Sequence, residues 1–245
     1  MQPLTKITAY RRILMESQQV SCKLQVLVTI INYSHIEIAE GHYRDYGIPI
    51  NIVTHGYGAA KQELYDILGF GEHKKAIFIS IITENMAQQL LRKLATDLHL
   101  EKPGKGIAFT IPINAASNAL NQLCMMSDKN KQIESEDKYM SHTEGYDLIL
   151  TIVNNGYYDQ IIEAVRSAGA RGGTLMHARG LASEETSRFL GITIQPEKDV
   201  LLIIVSHKIK QQVMESITKT AGITTEGRGI CISLPITSAL GLLAD

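Results

Sequence analysis

A surplus of charge, paired cysteines and long apolar runs are all missing from this chain. Lys and Arg total 24 against 25 Asp and Glu, a formal net charge of −1. That argues against a nucleic-acid footprint, which needs a basic surplus. Cys22, Cys124 and Cys231 are odd in number, far apart and without a Cys-x-x-Cys pair; they supply no disulfide frame and fit a reducing, cytoplasmic setting. No apolar run approaches the roughly 18 residues of a membrane span, and the opening MQPLTKITAYRRILMESQQ has no apolar signal core. Catalytic signatures are missing too. There is no Gly-x-Ser-x-Gly and no His-Glu-x-x-His. Gly56-Tyr57-Gly58-Ala59-Ala60-Lys61 fits neither a dinucleotide fingerprint nor a P-loop. Glu184 and Glu185 are adjacent, so on a helix they diverge and make a poor acid–base couple.

What is present is a repeat. Gly47, His55, Gly58 and Leu68-Gly69 answer Gly169, His177, Gly180 and Leu190-Gly191 at a constant offset of 122 (169 − 47, 177 − 55, 180 − 58, 191 − 69). Gly104-Lys105-Gly106-Ile107 answers Gly227-Arg228-Gly229-Ile230, and Pro112 answers Pro235, at an offset of 123 (227 − 104, 235 − 112). Two copies mean duplicated domains and not a solenoid, which needs three or more. The 245 residues then divide into an N-terminal extension (1–22), a first module (23–120), a linker (121–145) whose core SDKNKQIESEDK is polar and of both signs, and a second module (146–245).

Each copy reads strand, helix, strand, long connection, strand, helix, strand. In the first, 23–31 (KLQVLVTII) is a short strand rich in β-branched residues. Ser34 and Glu37 form a capping box for a helix that Gly47 ends. Residues 48–54, 75–82 and 107–111 are strands, with Pro49 placed at an edge or a strand start. Residues 83–98 form a helix with Met86, Leu90, Leu91 and Leu94 on one stripe. In the second copy the strands are 148–153, 174–178, 200–205 and 230–234, and the helices 156–168 and 209–221. This βαββαβ order predicts an α+β fold: two tandem ferredoxin-like modules, each a four-stranded antiparallel sheet with two helices on one face. RNA-recognition domains share that topology, but 200–205 (VLLIIV) lacks their stacking aromatics.

The connection after each second strand is long for a compact domain, and such connections usually carry function. GGTLMHARG (172–180), the loop after it, VLLIIV (200–205) and AGITTEGRGICISLPI (221–236) resemble the nitrogen regulatory PII family in order and spacing. The resemblance covers nearly all of the second copy and, more weakly, the first. It implies a PII-like signal-transduction protein that binds ATP, ADP or AMP in clefts between modules. It also implies that the loop after strand two, 181–188 in the second copy, docks on a regulated protein, a transporter or an enzyme. Carried over, Thr174 matches a nucleotide-contacting threonine on strand two, and Gly180 a glycine at the loop base. Gly227 and Gly229 match glycines whose backbone approaches phosphate, where a side chain would intrude. The family's Gly-Asp-Gly-Lys is Gly-Arg-Gly-Ile here, so Ile230 stands at the lysine position and Arg228 is expected to supply the positive charge. The family's C-terminal arginine pair has no counterpart in SALGLLAD.

The expected effector site is therefore Thr174, Gly180, Gly227, Arg228 and Gly229. The first copy, with Ile52 in place of Thr174, is expected to be mostly structural. Rings of three, as in that family, imply a homotrimer of six modules. No catalysis, metal, nucleic acid or membrane insertion is expected. Other readings of the same residues stand beside this one. Each Gly-basic-Gly segment also suits a plain helix end and tight turn. An enzyme on this scaffold would use His177 with Arg179, and a metal protein would draw on His55, His177, His73 and His207. Arg171 and Arg179 flank strand two, where each could meet an anion.

Overall fold

The computed structural model of the chain describes residues 23–58, 74–102, 104–129, 145–180 and 197–242. Along it run β1 (Leu24–Asn32), α1 (Ile36–Asp45), β2 (Ile50–Gly58), β3 (Lys74–Thr83), α2 (Glu84–Leu98) and β4 (Gly106–Pro112). Then come α3 (Asn118–Lys129), β5 (Tyr146–Asn154), α4 (Tyr158–Ser167), β6 (Thr174–Arg179), β7 (Glu197–Ser206), α5 (Lys210–Ala221), β8 (Ile230–Pro235) and β9 (Ser238–Leu240). The order βαββαβ thus occurs twice, with α3 between the copies and β9 after them.

The strands form one nine-stranded antiparallel sheet, β8-β5-β7-β6-β2-β3-β1-β4-β9, in place of the two separate four-stranded sheets expected. Two contacts make the difference. β2 meets β6 at Tyr57–Leu175 and Gly58–Thr174, and β9 adds to β4. β8 and β9 occupy opposite edges of that order, yet only Ile236 and Thr237 separate them in the chain. Three residue steps span about 10 Å at full stretch, so the sheet has to curl until its edges meet. There Thr237 donates its N–H to the Thr110 carbonyl at 3.0 Å.

Curling gives the strands two buried faces, which near-continuous apolar strands require. Leu27, Phe78, Leu90 and Leu94 form a core beneath α1 and α2. Ile149, Leu201, Val165 and Val213 form another beneath α4 and α5. Inside the curl, Val28, Ile77 and Phe109 of the first half meet Leu148 and Ile236 of the second. The stripe Met86, Leu90, Leu91, Leu94 is buried as its spacing predicts, and Thr83 caps α2 by accepting from the Met86 N–H at 3.1 Å. Gly47 (φ 60°) and Gly169 (φ 93°) end α1 and α4 in the left-handed region. The next N–H groups, of Ile48 and Ala170, then reach back to Tyr43 and Val165 at 3.2 and 2.9 Å.

Two local expectations are corrected. Ser34 lies within a 3-10 turn, Tyr33–His35, and α1 starts at Ile36 with His35 at its cap position and no side-chain cap bond. Asn32 is still in β1 opposite Lys75, so the chain turns too tightly for the capping box. Residues 121–129, read as the start of a polar linker, continue α3. Its Cys124 is buried, its Ser127 hydroxyl donates to the Gly47 carbonyl at 2.8 Å, and Asp128 accepts from Thr83 Oγ1 at 2.8 Å and Asn85 Nδ2 at 2.9 Å. The extension 1–22, the loop 59–73, the segment 130–144 and the loop 181–196 lie outside the described residues. Among the described residues no helix is long and apolar enough to cross a membrane.

Candidate functional site

The curl has two ends, related by the repeat, and each carries the same pair of residues on its inner face. At one end Lys75 Nζ donates to Asn32 Oδ1 at 2.5 Å; at the other Lys198 Nζ donates to Asn154 Oδ1 at 2.5 Å. The offsets are those of the repeat (154 − 32 = 122, 198 − 75 = 123). Burial disfavours both ammonium groups and lowers their pKa values from the ordinary lysine value. Neither pair stands out in the sequence, where lysine and asparagine at strand ends read as solvated surface. Only their recurrence at the repeat offset could have singled them out.

The Lys75 end holds a cavity of about 260 Å³. Both halves of the chain build it. The first half gives Gly58, Lys75, Gly104, Gly106 and Ile107; the second gives Tyr146, the run 169–174, the end of β7 and Leu242. Gly58 packs directly on the lysine stem, since a Cβ there would stand 2.9 Å from Lys75 Cε. The walls are mainly aliphatic, with Ile30, Ile107, Leu202, Ile204 and Ile209 among them. Among the described lining residues Lys75 and Arg171 are cationic, and none is a carboxylate or a histidine. Asp147 is next to Tyr146 in sequence, but its carboxylate is taken up by Lys210 Nζ at 3.1 Å and by His207 Nδ1. Such a cavity favours a small anion with an apolar body.

The residues expected to form the effector site divide between the two ends. Thr174, 8% exposed, lines the cavity. Gly180, Gly227, Arg228 and Gly229 do not; they belong to the Lys198 end, where Asn154 bonds the Glu226 carbonyl through Nδ2 at 3.0 Å and the Gly227 carbonyl through its N–H at 2.9 Å. The turn's own donors are engaged within the protein. Gly227 N–H meets Thr225 Oγ1 at 3.2 Å, Arg228 N–H the Thr225 carbonyl at 3.2 Å, and Gly229 N–H the Ala221 carbonyl at 2.7 Å. Glycine is required at 229 because a Cβ would lie 2.3 Å from the Ala221 oxygen. Arg228 folds back, Nη1 donating to the Ile223 carbonyl at 3.1 Å. Of the two arginines flanking strand two, Arg171 lines the cavity and Arg179 does not.

His55 and His177 occupy strand positions and do not line the cavity, His207 follows β7 and meets Asp147, and His73 lies outside the described residues. His177 Nδ1 lies 3.0 Å from Asp199 Oδ1, and that buried carboxylate also accepts from Gly156 N–H at 3.1 Å and Asn155 Nδ2 at 3.2 Å. Asp199 of β7 is thereby tied both to β6 and to the turn after β5. His55 lies against Tyr33, ring centroids 5.1 Å apart. Among the described residues no three His, Cys, Asp or Glu side chains converge as metal ligands.

No protein-family model and no curated protein matches the chain. Among solved structures it is similar to a PII protein of Arabidopsis thaliana bound to citrate, at 22% identity and a TM-score of 0.30, over 38% of this chain and 76% of that one. It is also similar to an anthrone oxidase-like protein at 8% identity and a TM-score of 0.22, over 91% of this chain and 94% of that one. What the cavity does is read from its own residues.

Proposed function

We propose that the chain is a PII-like regulator built of two ferredoxin-like modules, and that a small anionic effector, an adenine nucleotide in the first instance, occupies the cavity between its halves. The observation that carries this reading is the cavity wall: among its described residues stand Lys75 and Arg171 with no carboxylate, and both modules contribute aliphatic sides and backbone. Lys75 and Arg171 would hold the anionic group, Thr174 would hydrogen-bond beside it, and the aliphatic wall would take the apolar part. Gly58 and Lys75 flank the loop after β2, residues 59–73, so the effector would sit at that loop's base. Binding there would set the order of the loop, and the loop would then engage a regulated protein. Assembly into trimers belongs to the same proposal and is read by light scattering.

Calorimetric titration of the full chain with ATP, ADP and AMP tests the reading. Saturable heat with one of them that disappears in Lys75→Met supports it. Absence of heat with all three removes the nucleotide version.

A further inference from the structure

β4 and β8 are equivalent strands, but among the described residues only β4 has its outer edge covered. β9 lies along β4, setting Leu240, Ala239 and Ser238 against Ala108, Phe109 and Thr110. The corresponding residues of β8 are Cys231, Ile232 and Ser233 (231 − 108 = 232 − 109 = 233 − 110 = 123). Among the described residues no strand pairs with them on that side. The segment that would do so begins at residue 115 (238 − 123), but it leads instead into α3, whose Asp128 and Ser127 tie it to Thr83 and Gly47. Burial records the consequence. Phe109 is 0% exposed, whereas Ile232 is 49% and Ile230 53% exposed. β8 reads Ile-Cys-Ile-Ser-Leu-Pro, without the charged residue that commonly keeps an edge strand from pairing further.

We propose that the outer edge of β8 is a docking site for an extended, uncharged peptide segment of a partner protein. The segment adds antiparallel across 231–233, with a small residue opposite Ile232 and an aliphatic one at the next position. The molecule itself supplies the pattern for this occupant. β9 is Ser-Ala-Leu, Ala239 lies opposite Phe109, and Leu240 packs against the first core. Main-chain hydrogen bonds along 231–233 give affinity, and Ile230 and Ile232 select apolar side chains. The edge lies at the Lys198 end, away from the cavity, so it is a second surface and does not depend on the effector.

The test uses a fluorescent peptide of sequence ITSALGL, copying residues 236–242, titrated into the full chain by anisotropy. Saturable binding is expected, about tenfold or more weaker in Ile232→Lys and unchanged in Ile232→Val. Ile232 is half exposed, so the lysine variant retains its fold, checked by its thermal melt. A peptide N-methylated at alternate residues keeps its side chains but loses the edge hydrogen bonds; against the parent chain it also binds about tenfold weaker. Three results overturn the proposal. One is no binding up to about millimolar peptide. Another is binding that Ile232→Lys leaves intact, since the peptide is then exchanging with β9 on β4. The third is a stable dimer that Ile232→Lys dissociates, which assigns the edge to a second copy of the chain.

Discussion

Gly56→Ala probes the seam that turns two sheets into one. A Cβ at Gly56 would lie 2.5 Å from the Leu175 carbonyl oxygen and 2.7 Å from Ile77 Cδ1. Both neighbours are fixed: the oxygen is backbone of β6, and Ile77 is fully buried inside the curl. The methyl therefore forces β2 and β6 apart where Tyr57–Leu175 and Gly58–Thr174 pair. Overpacking of this kind costs about 1–3 kcal/mol. Losing the seam's hydrogen bonds adds about 0.5–1.5 kcal/mol for each bond. The expected loss is about 2–4 kcal/mol, a fall in Tm on the order of 5–15 °C for a chain this size. Urea unfolding followed by circular dichroism measures it. The variant should also unfold less cooperatively, because each half keeps its own helix-covered core while the shared one opens. A loss below about 0.5 kcal/mol, with one sharp transition, would refute the reasoning, since the seam would then not be a fixed contact.

Three further outcomes follow from the same geometry. Thr83→Ala removes both the α2 cap and one of the two donors to Asp128; about 1–2 kcal/mol of stability is lost, and hydrogen exchange should quicken in α3 more than in α1. Burial alone would raise the Asp147 carboxyl, but hydrogen bonds and charge from His207 and Lys210 outweigh it and hold the group below the usual carboxylate range. A carboxylate lowered in the folded state gives stability that is complete above its unfolded value of about 3.9 and is lost as pH falls through the folded value. Asp147→Asn should therefore cost about 2 kcal/mol at neutral pH, with the gap from the parent shrinking below about pH 4 in urea melts. Phe109→Ala should cost about 3–5 kcal/mol, more than Ile232→Ala at the equivalent place in β8, because Phe109 is fully buried in the inner core with Ala239 of β9 beside it, whereas Ile232 is half exposed.

Much of the fold was legible because each local signal agreed with its element. Gly47 and Gly169 ended helices, the Met86 to Leu94 stripe lay buried, and Pro49 stood just before β2. What the sequence hid were contacts between the halves. β9 is three residues long, too short for periodicity to register, and it becomes a strand only because β4 is beside it. The inner core was present as alternate apolar residues such as Ile77 and Ile79, but a strand apolar on both faces does not say what covers the second face. α3 was obscured by the polar stretch after it, although Leu120, Cys124 and Ser127 already shared one helical face. Thr174, which lines the cavity, was singled out through its place on strand two. Its neighbours were not, because the cavity joins it to Gly58 and Lys75 of the other copy, and aligning the copies pairs each residue with its equivalent and not with its contact.

The most direct test of the account is anion binding by Lys75→Met and Arg228→Ala, compared with the parent by calorimetry with ADP. The cavity reading predicts at least about a tenfold loss of affinity in Lys75→Met, as expected for removing a charged hydrogen-bond donor, and parent-like affinity in Arg228→Ala, whose side chain folds back at the opposite end. Full affinity in Lys75→Met together with loss in Arg228→Ala would contradict it and move the effector to the 227–229 turn.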